Sequence, residues 1–229
     1  MKSDLFLQQE ATRSEIYKLL AECFYPPDEN LFEKIIGLND KFKLVGLQDI
    51  DWNVGKMLRA DSIKDLTVEH ARLFVGPYTV PAPPYGSVYM EPERRIMGNS
   101  TMDVIQRYRQ FGLVVGEDFK DAPDHIAAEL EFMHFLCFKA MEAAHRGDAD
   151  QVAESLTEQQ SFLQIHLGAW IPEFAGKVIE NASTSFYRNL AGATETFIKK
   201  DYHVPTSFLN SWSSNPAKSA EIESSCGQC

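Results

Sequence analysis

The sequence predicts an all-α fold. Apolar residues recur at helical spacing through most of the chain, and no segment alternates apolar and polar residues as a half-buried strand would. No unit repeats at a fixed period, which sets solenoids aside. At 229 residues, roughly 72% of the unfolded surface would be buried on folding, enough for one sizeable core. The expected architecture is a single-domain helical bundle over residues 1–202, followed by a flexible Ser-rich tail over 203–229.

The first helix follows from Leu5, Phe6, Ile16, Leu19, Leu20, Cys23 and Phe24, with Ser3 as its cap and Pro26-Pro27 as its stop. A second begins near Asp28 and carries Leu31, Phe32, Ile35 and Ile36 on one face. Residues 37–60 give no clear pattern. A helix is expected over about 63–75, with Leu66, Leu73 and Phe74 inward. Residues 76–87 then hold four prolines and two glycines, through which no helix or central strand can run. Its apolar and aromatic content marks it as an ordered inter-helix loop, and long ordered loops are often functional. Helices resume over about 100–112 and 123–146. The second of these has an apolar face broad enough for a central helix, formed by Ile126, Leu130, Met133, Cys137 and Met141 and widened by Phe132, Phe135 and Leu136. Further helices are expected over about 149–167, 171–181 and 185–201, with Pro172 early in its helix.

Lys+Arg number 22 against 33 Asp+Glu, a net charge of −11. Such a chain repels phosphate backbones, so neither nucleic acid nor an anionic membrane is an expected partner, and a cationic one is favoured. No apolar run is long enough to cross a bilayer, and the start lacks the pattern of a signal peptide. Two of the four cysteines sit inside helical patterns, which fits a reducing compartment; the expected location is the cytoplasm.

Asp121-Ala122-Pro123-Asp124-His125 opens the central helix, where the aspartates can cap amides and proline is tolerated. His125 has no such explanation, because a cation is disfavoured at that end; Glu129 lies on its face and could hydrogen-bond the imidazole. An Asp–His–Glu cluster at this hinge could hold a basic peptide or position a ligand. Glu131-Phe132-Met133-His134 matches the Glu-x-x-His element of di-iron bundles, but such a site needs carboxylates from other helices. No metal is therefore expected, and no catalytic residue is assigned. Phosphate-binding glycine loops and a serine nucleophile elbow are absent. Cys226-Gly227-Gln228-Cys229 lacks both a thioredoxin-like context and the further ligands a zinc site needs. A binding module fits better than an enzyme. Two alternatives stay open: a metal- or nucleotide-dependent helical enzyme using Glu131, His134 and His125, and a plain helical adaptor whose Pro-rich loop is only a linker.

Three stretches resemble the TorD/DmsD family of redox-enzyme maturation chaperones. They are Arg72-Leu73-Phe74-Val75-Gly76-Pro77 running into Pro81-Ala82-Pro83-Pro84-Tyr85-Gly86-Ser87-Val88-Tyr89; Pro123-Asp124-His125; and His166-Leu167, Trp170 and Phe186-Tyr187-Arg188. The resemblance covers about residues 5–205 and leaves the tail outside. It implies an all-helical fold particular to that family and cytoplasmic binding of the twin-arginine signal peptide of a molybdopterin oxidoreductase. The chaperone would hold the apoenzyme during molybdenum cofactor loading and so delay export. It also implies a monomer or domain-swapped dimer and no resident cofactor, beyond weak guanine-nucleotide binding or transient contact with molybdenum cofactor. The signal-peptide site it implies comprises Phe74, Tyr85, Gly86, Ser87, Tyr89, Asp124 and His125, and the residue pattern adds Glu129. A twin-arginine leader offers a cationic start and an apolar segment, so its receptor needs carboxylates beside an apolar groove, which Asp124 and Glu129 near this loop are expected to supply.

Overall fold

The computed structural model describes residues 2–48, 50, 61–77, 79–116 and 120–213. The expected tail from 214 onward, with Cys226 and Cys229, lies outside the described residues. The helices are α1 (Lys2–Phe24), α2 (Leu31–Leu44), α3 (Ile63–His70), α4 (Gly86–Met90) and α5 (Asn99–Gln110). They continue with α6 (Ile126–His145), α7 (Ala149–Phe162), α8 (Gly168–Asn181), α9 (Ser185–Asp201) and α10 (Val204–Ser213). The bundle is all-α, as the apolar periodicity requires, and the described residues contain no strand, only one isolated bridge between Tyr85 and His125. None of the described helices is long and apolar enough to cross a membrane.

Helix α6 is the centre. Ile126, Leu130, Met133 and Cys137 are fully buried, and α1 packs along α6 with Ile16, Tyr17, Leu20 and Phe24. Helix α7 packs on α6 as well, α8 continues from α7 through a short turn, and α9 packs against α8 and touches α1. Cys23 and Cys137 are buried free thiols.

Several boundaries differ from the sequence expectation. Helix α1 already includes Ser3, so its start lies before that residue. Helix α3 passes into a π-helical turn, Ala71–Val75, and α7 into another, Leu163–Leu167, which runs directly into α8. The break expected after residue 167 is therefore absent, and Pro172 falls within α8 rather than near a free start. The Pro-rich loop ends earlier than expected, because α4 already begins at Gly86. The tail boundary at 203 is also misplaced: α10 follows at once, and its Phe208 ring meets Phe6 edge-on at 5.0 Å. Sparse but well-spaced apolar residues suffice for a docked helix when a neighbour offers a matching apolar strip.

One polar knot ties the first π turn to the α8–α9 connection. Glu69 accepts hydrogen bonds from Arg72 Nε and Nη2, both at 2.9 Å, and from the Ser183 amide at 2.5 Å. Arg72 also donates to the Asn181 carbonyl at the end of α8. Burial alone would raise the Glu69 carboxyl, but these donors outweigh it and bring it down to about 2. A depressed carboxylate contributes stability above its ordinary value and loses it as pH falls toward the folded value. Glu69→Gln is therefore expected to cost about 2–3 kcal/mol at pH 7, and the gap should narrow from pH 4 toward pH 2. Urea unfolding across that range measures it; a gap independent of pH would sink the ion-pair account.

Candidate functional site

The Pro-rich loop is fastened to the start of α6 through its backbone. Ile126 N–H donates to the Pro84 carbonyl at 2.8 Å, and Gly86 N–H donates to the Asp124 carbonyl at 2.9 Å. Asp124 Oδ2 accepts from the Ser87 amide at 2.7 Å, which anchors the first turn of α4. A solvated linker would have no reason to make these three bonds. The loop is a built part of the hinge between α5 and α6.

The candidate residues named from the sequence converge here, but in different roles from those expected. Asp124 is 1% exposed and Glu129 is 0% exposed, so neither presents an open carboxylate. Glu129 does not bond His125; its Oε2 accepts from Trp170 Nε1 at 3.0 Å. Burial pushes the Glu129 carboxyl well above the usual range, the Trp170 bond lowers it only partly, and Asp124 adds to the rise. Gly86 is packed against Glu129: a Cβ there would sit 3.0 Å from Trp170 Nε1 and 3.2 Å from Glu129 Oε1. A glycine is needed so that α4 can approach this closely.

His125 caps α6, with its Nδ1 accepting from the Ala127 amide at 3.1 Å. Burial brings its pKa down to about 4, against the opposing pull of Asp121. The imidazole is neutral, which removes the conflict with the positive helix end. Its ring contacts Tyr25 in near-parallel stacking at 6.3 Å and Tyr85 edge-on at 5.4 Å. Tyr89 stacks on Trp170 at 5.6 Å and is half-buried. Phe74 is a core residue, 4% exposed, packed against Phe24, His70, Phe174 and Tyr187; it supports the site from within.

Beside the hinge lies a mostly apolar cavity of about 290 Å³, lined by Leu113, Val115, Pro123, Phe132 and Phe135 with Glu131 among them. Its wall includes Tyr108, whose hydroxyl donates to the Pro123 carbonyl at 3.0 Å. Among the described residues of this region, Asp121 and Glu131 are exposed carboxylates. Tyr85 donates to Asp121 Oδ1 at 2.8 Å and Tyr25 to Glu131 Oε1 at 3.0 Å. The sequence offers Asp121 as a possible cap and Glu131 only within the metal-dependent alternative, and it does not single out Tyr25. The one available signal was an aromatic residue directly before Pro26-Pro27, a helix end that must face a loop.

The Glu131-x-x-His134 pair is dispersed. His134 Nδ1 lies 2.8 Å from Ser14 Oγ while Glu131 serves Tyr25. A second Glu-x-x-His, Glu142 to His145, follows on the same helix, and Glu142 pairs with Lys139 at 2.9 Å. Two copies on one helix cannot face each other as a di-iron bundle requires. Among the described residues, no group of three or more His, Cys, Asp or Glu is placed to hold a metal ion.

Residues 45–176 match the family model described as nitrate reductase delta subunit. A TorD chaperone protein of Shewanella pealeana is 26% identical over 223 residues, covering 88% of this chain and 93% of its own. The Tat proofreading chaperone DmsD of Salmonella typhi is 28% identical over 189 residues, covering 81% and 86%. Among solved structures, a putative redox enzyme maturation protein from Archaeoglobus fulgidus superposes with a TM-score of 0.55. It is 27% identical and covers 81% of this chain and 93% of its own.

Proposed function

The chain belongs to the nitrate reductase delta subunit family, alongside the TorD and DmsD maturation chaperones, and we propose that it binds the twin-arginine signal peptide of a molybdopterin oxidoreductase. It is a redox-enzyme maturation chaperone and not an enzyme. It meets its client in the cytoplasm, before export. By occupying the leader it holds the apoenzyme back while the client's own molybdenum cofactor is inserted.

The observation that carries this reading is the mostly apolar cavity beside Glu131, adjoining a hinge to which the Pro-rich loop is hydrogen-bonded. An apolar groove with carboxylates at its edge complements a peptide that begins with cations and continues with apolar residues. Asp124 and Glu129 contribute as the frame that fixes α4 and the loop. Phe74 and Tyr89 hold that frame from the core side.

Calorimetric titration with a twin-arginine leader, against its Lys-Lys version, tests the reading. Saturable binding that weakens about tenfold or more with Lys-Lys is expected, since lysine lacks the planar, forked donor set of arginine. Asp124→Ala releases the Ser87 amide and is expected to weaken binding more than a change at exposed Glu180 does. No binding of any leader, or equal effects of the two substitutions, would count against a peptide site at this hinge.

A further inference from the structure

We infer that Asp121 and Glu131 receive the two guanidinium groups of the leader, with the neighbouring cavity taking the apolar side chains that follow. This rests on the signal-peptide reading above and replaces the sequence expectation that Asp124 and Glu129 would do so.

Burial decides the first half. Asp124 spends one oxygen on the Ser87 amide and Glu129 one on Trp170, and both side chains are buried. A guanidinium would have to give up its own hydration to reach their remaining oxygens, which are buried. Asp121 and Glu131 need no such desolvation, because both are exposed. Each is fixed by one tyrosine hydroxyl, and among the described residues neither is in an ion pair. A carboxylate oriented through one oxygen has lost rotamer freedom in advance, so less is lost when a donor arrives at the other.

The two carboxylates also belong to one patch. Tyr25 and Tyr85 contact the same His125 ring. The Tyr25 hydroxyl is pushed above its ordinary range by burial first, then by Glu131, and also by Asp121, so both acids bear on a single hydroxyl. Two carboxylates that act on one hydroxyl favour a partner carrying a pair of cations. The neutral His125 adds no competing positive charge.

Two further observations point to a ligand. Pro123 and Glu131 both line the cavity, so it begins where the carboxylates end. Asp124, directly after Pro123, has a buried Oδ1 without a hydrogen-bond partner, an acceptor that an arriving peptide donor could satisfy. The tyrosine faces explain a preference for arginine, which stacks on aromatic rings as well as forking onto carboxylates.

The test uses the full chain with Asp121→Asn, Glu131→Gln and the double variant. Both sites are exposed and both replacements keep size and shape, so the fold is retained and circular dichroism checks it. The probes are synthetic leaders with Arg-Arg and with Lys-Lys ahead of the same apolar segment. Each single substitution is expected to weaken Arg-Arg binding by about tenfold and the double by about a hundredfold, with a far smaller loss for Lys-Lys. If wild type binds the Arg-Arg leader and the double variant binds it equally well, this assignment falls while the peptide reading stands. Equal losses for both leaders would reduce the pair to general charge attraction and overturn its arginine role. Failure of wild type to bind the Arg-Arg leader would remove both.

Discussion

Replacing Arg13 by methionine is expected to lower the unfolding free energy by about 3–5 kcal/mol. Arg13 is 2% exposed and lies on α1, deep between α7 and α9. Its Nε and Nη2 donate to the two oxygens of Asp201, each at 2.7 Å, in a bidentate pair. Its Nη1 donates to Gln159 Oε1 at 2.7 Å and also contacts Glu10. Gln159 donates back to Glu10 at 2.9 Å, and Tyr17 donates to Asp201 at 2.6 Å. Burial raises the Glu10 carboxyl and Arg13 lowers it, so the acid leans on this one cation. Removing Arg13 leaves two carboxylates without water and without a positive neighbour. Urea unfolding at pH 7 measures the loss. The triple change Glu10→Gln, Arg13→Met, Asp201→Asn should recover more than half of it, because the cost lies in stranded charge and not in lost attraction. A single-variant loss below about 1 kcal/mol would mean that water reaches the cluster.

The second large effect is expected at Trp170, whose replacement by alanine should cost about 3–5 kcal/mol and lower the Tm by roughly 10 °C. The side chain is 1% exposed. It stacks on Tyr89, meets Phe174 at 5.4 Å, and donates to Glu129. Alanine would leave a cavity and remove the Trp170 hydrogen bond from Glu129. Because α4 rests on Trp170 through Gly86 and Tyr89, peptide affinity should fall with stability. Trp170→Phe keeps a ring against Tyr89 and Phe174 and loses only the hydrogen bond, at about 1–2 kcal/mol. Thermal unfolding of the two variants separates packing from bonding. Equal losses would show that the hydrogen bond, and not the ring, supports α4.

Much of the scaffold was legible before any coordinates. Pro26-Pro27 follows closely on the end of α1 at Phe24, and the apolar stripe from Ile126 to Met141 marks α6, whose inner positions are buried. Those features are local: a proline removes an amide wherever it stands, and a period of 3.6 records which face avoids water. The errors were also local in origin. Phe208 and Leu209 look like part of a Ser-rich tail because the strip that receives them, including Phe6, lies about two hundred residues away along the chain. The π turns at 71–75 and 163–167 leave no mark in apolar spacing, so the sequence separates α7 from α8.

At the site, the sequence by itself determined the ingredients: a proline-rich aromatic loop that cannot be helical, an Asp-His pair at a helix start, and an acidic chain suited to a cationic partner. The tertiary structure decided which acids are open and which are spent. Asp124 and Glu131 are equally acidic as letters in a sequence. One is buried and bonded to the Ser87 amide, 37 positions earlier, and the other is exposed against Tyr25, 106 positions earlier. A carboxylate's burial and protonation depend on the donors and charges that reach it through space, and periodicity along the chain carries no record of those.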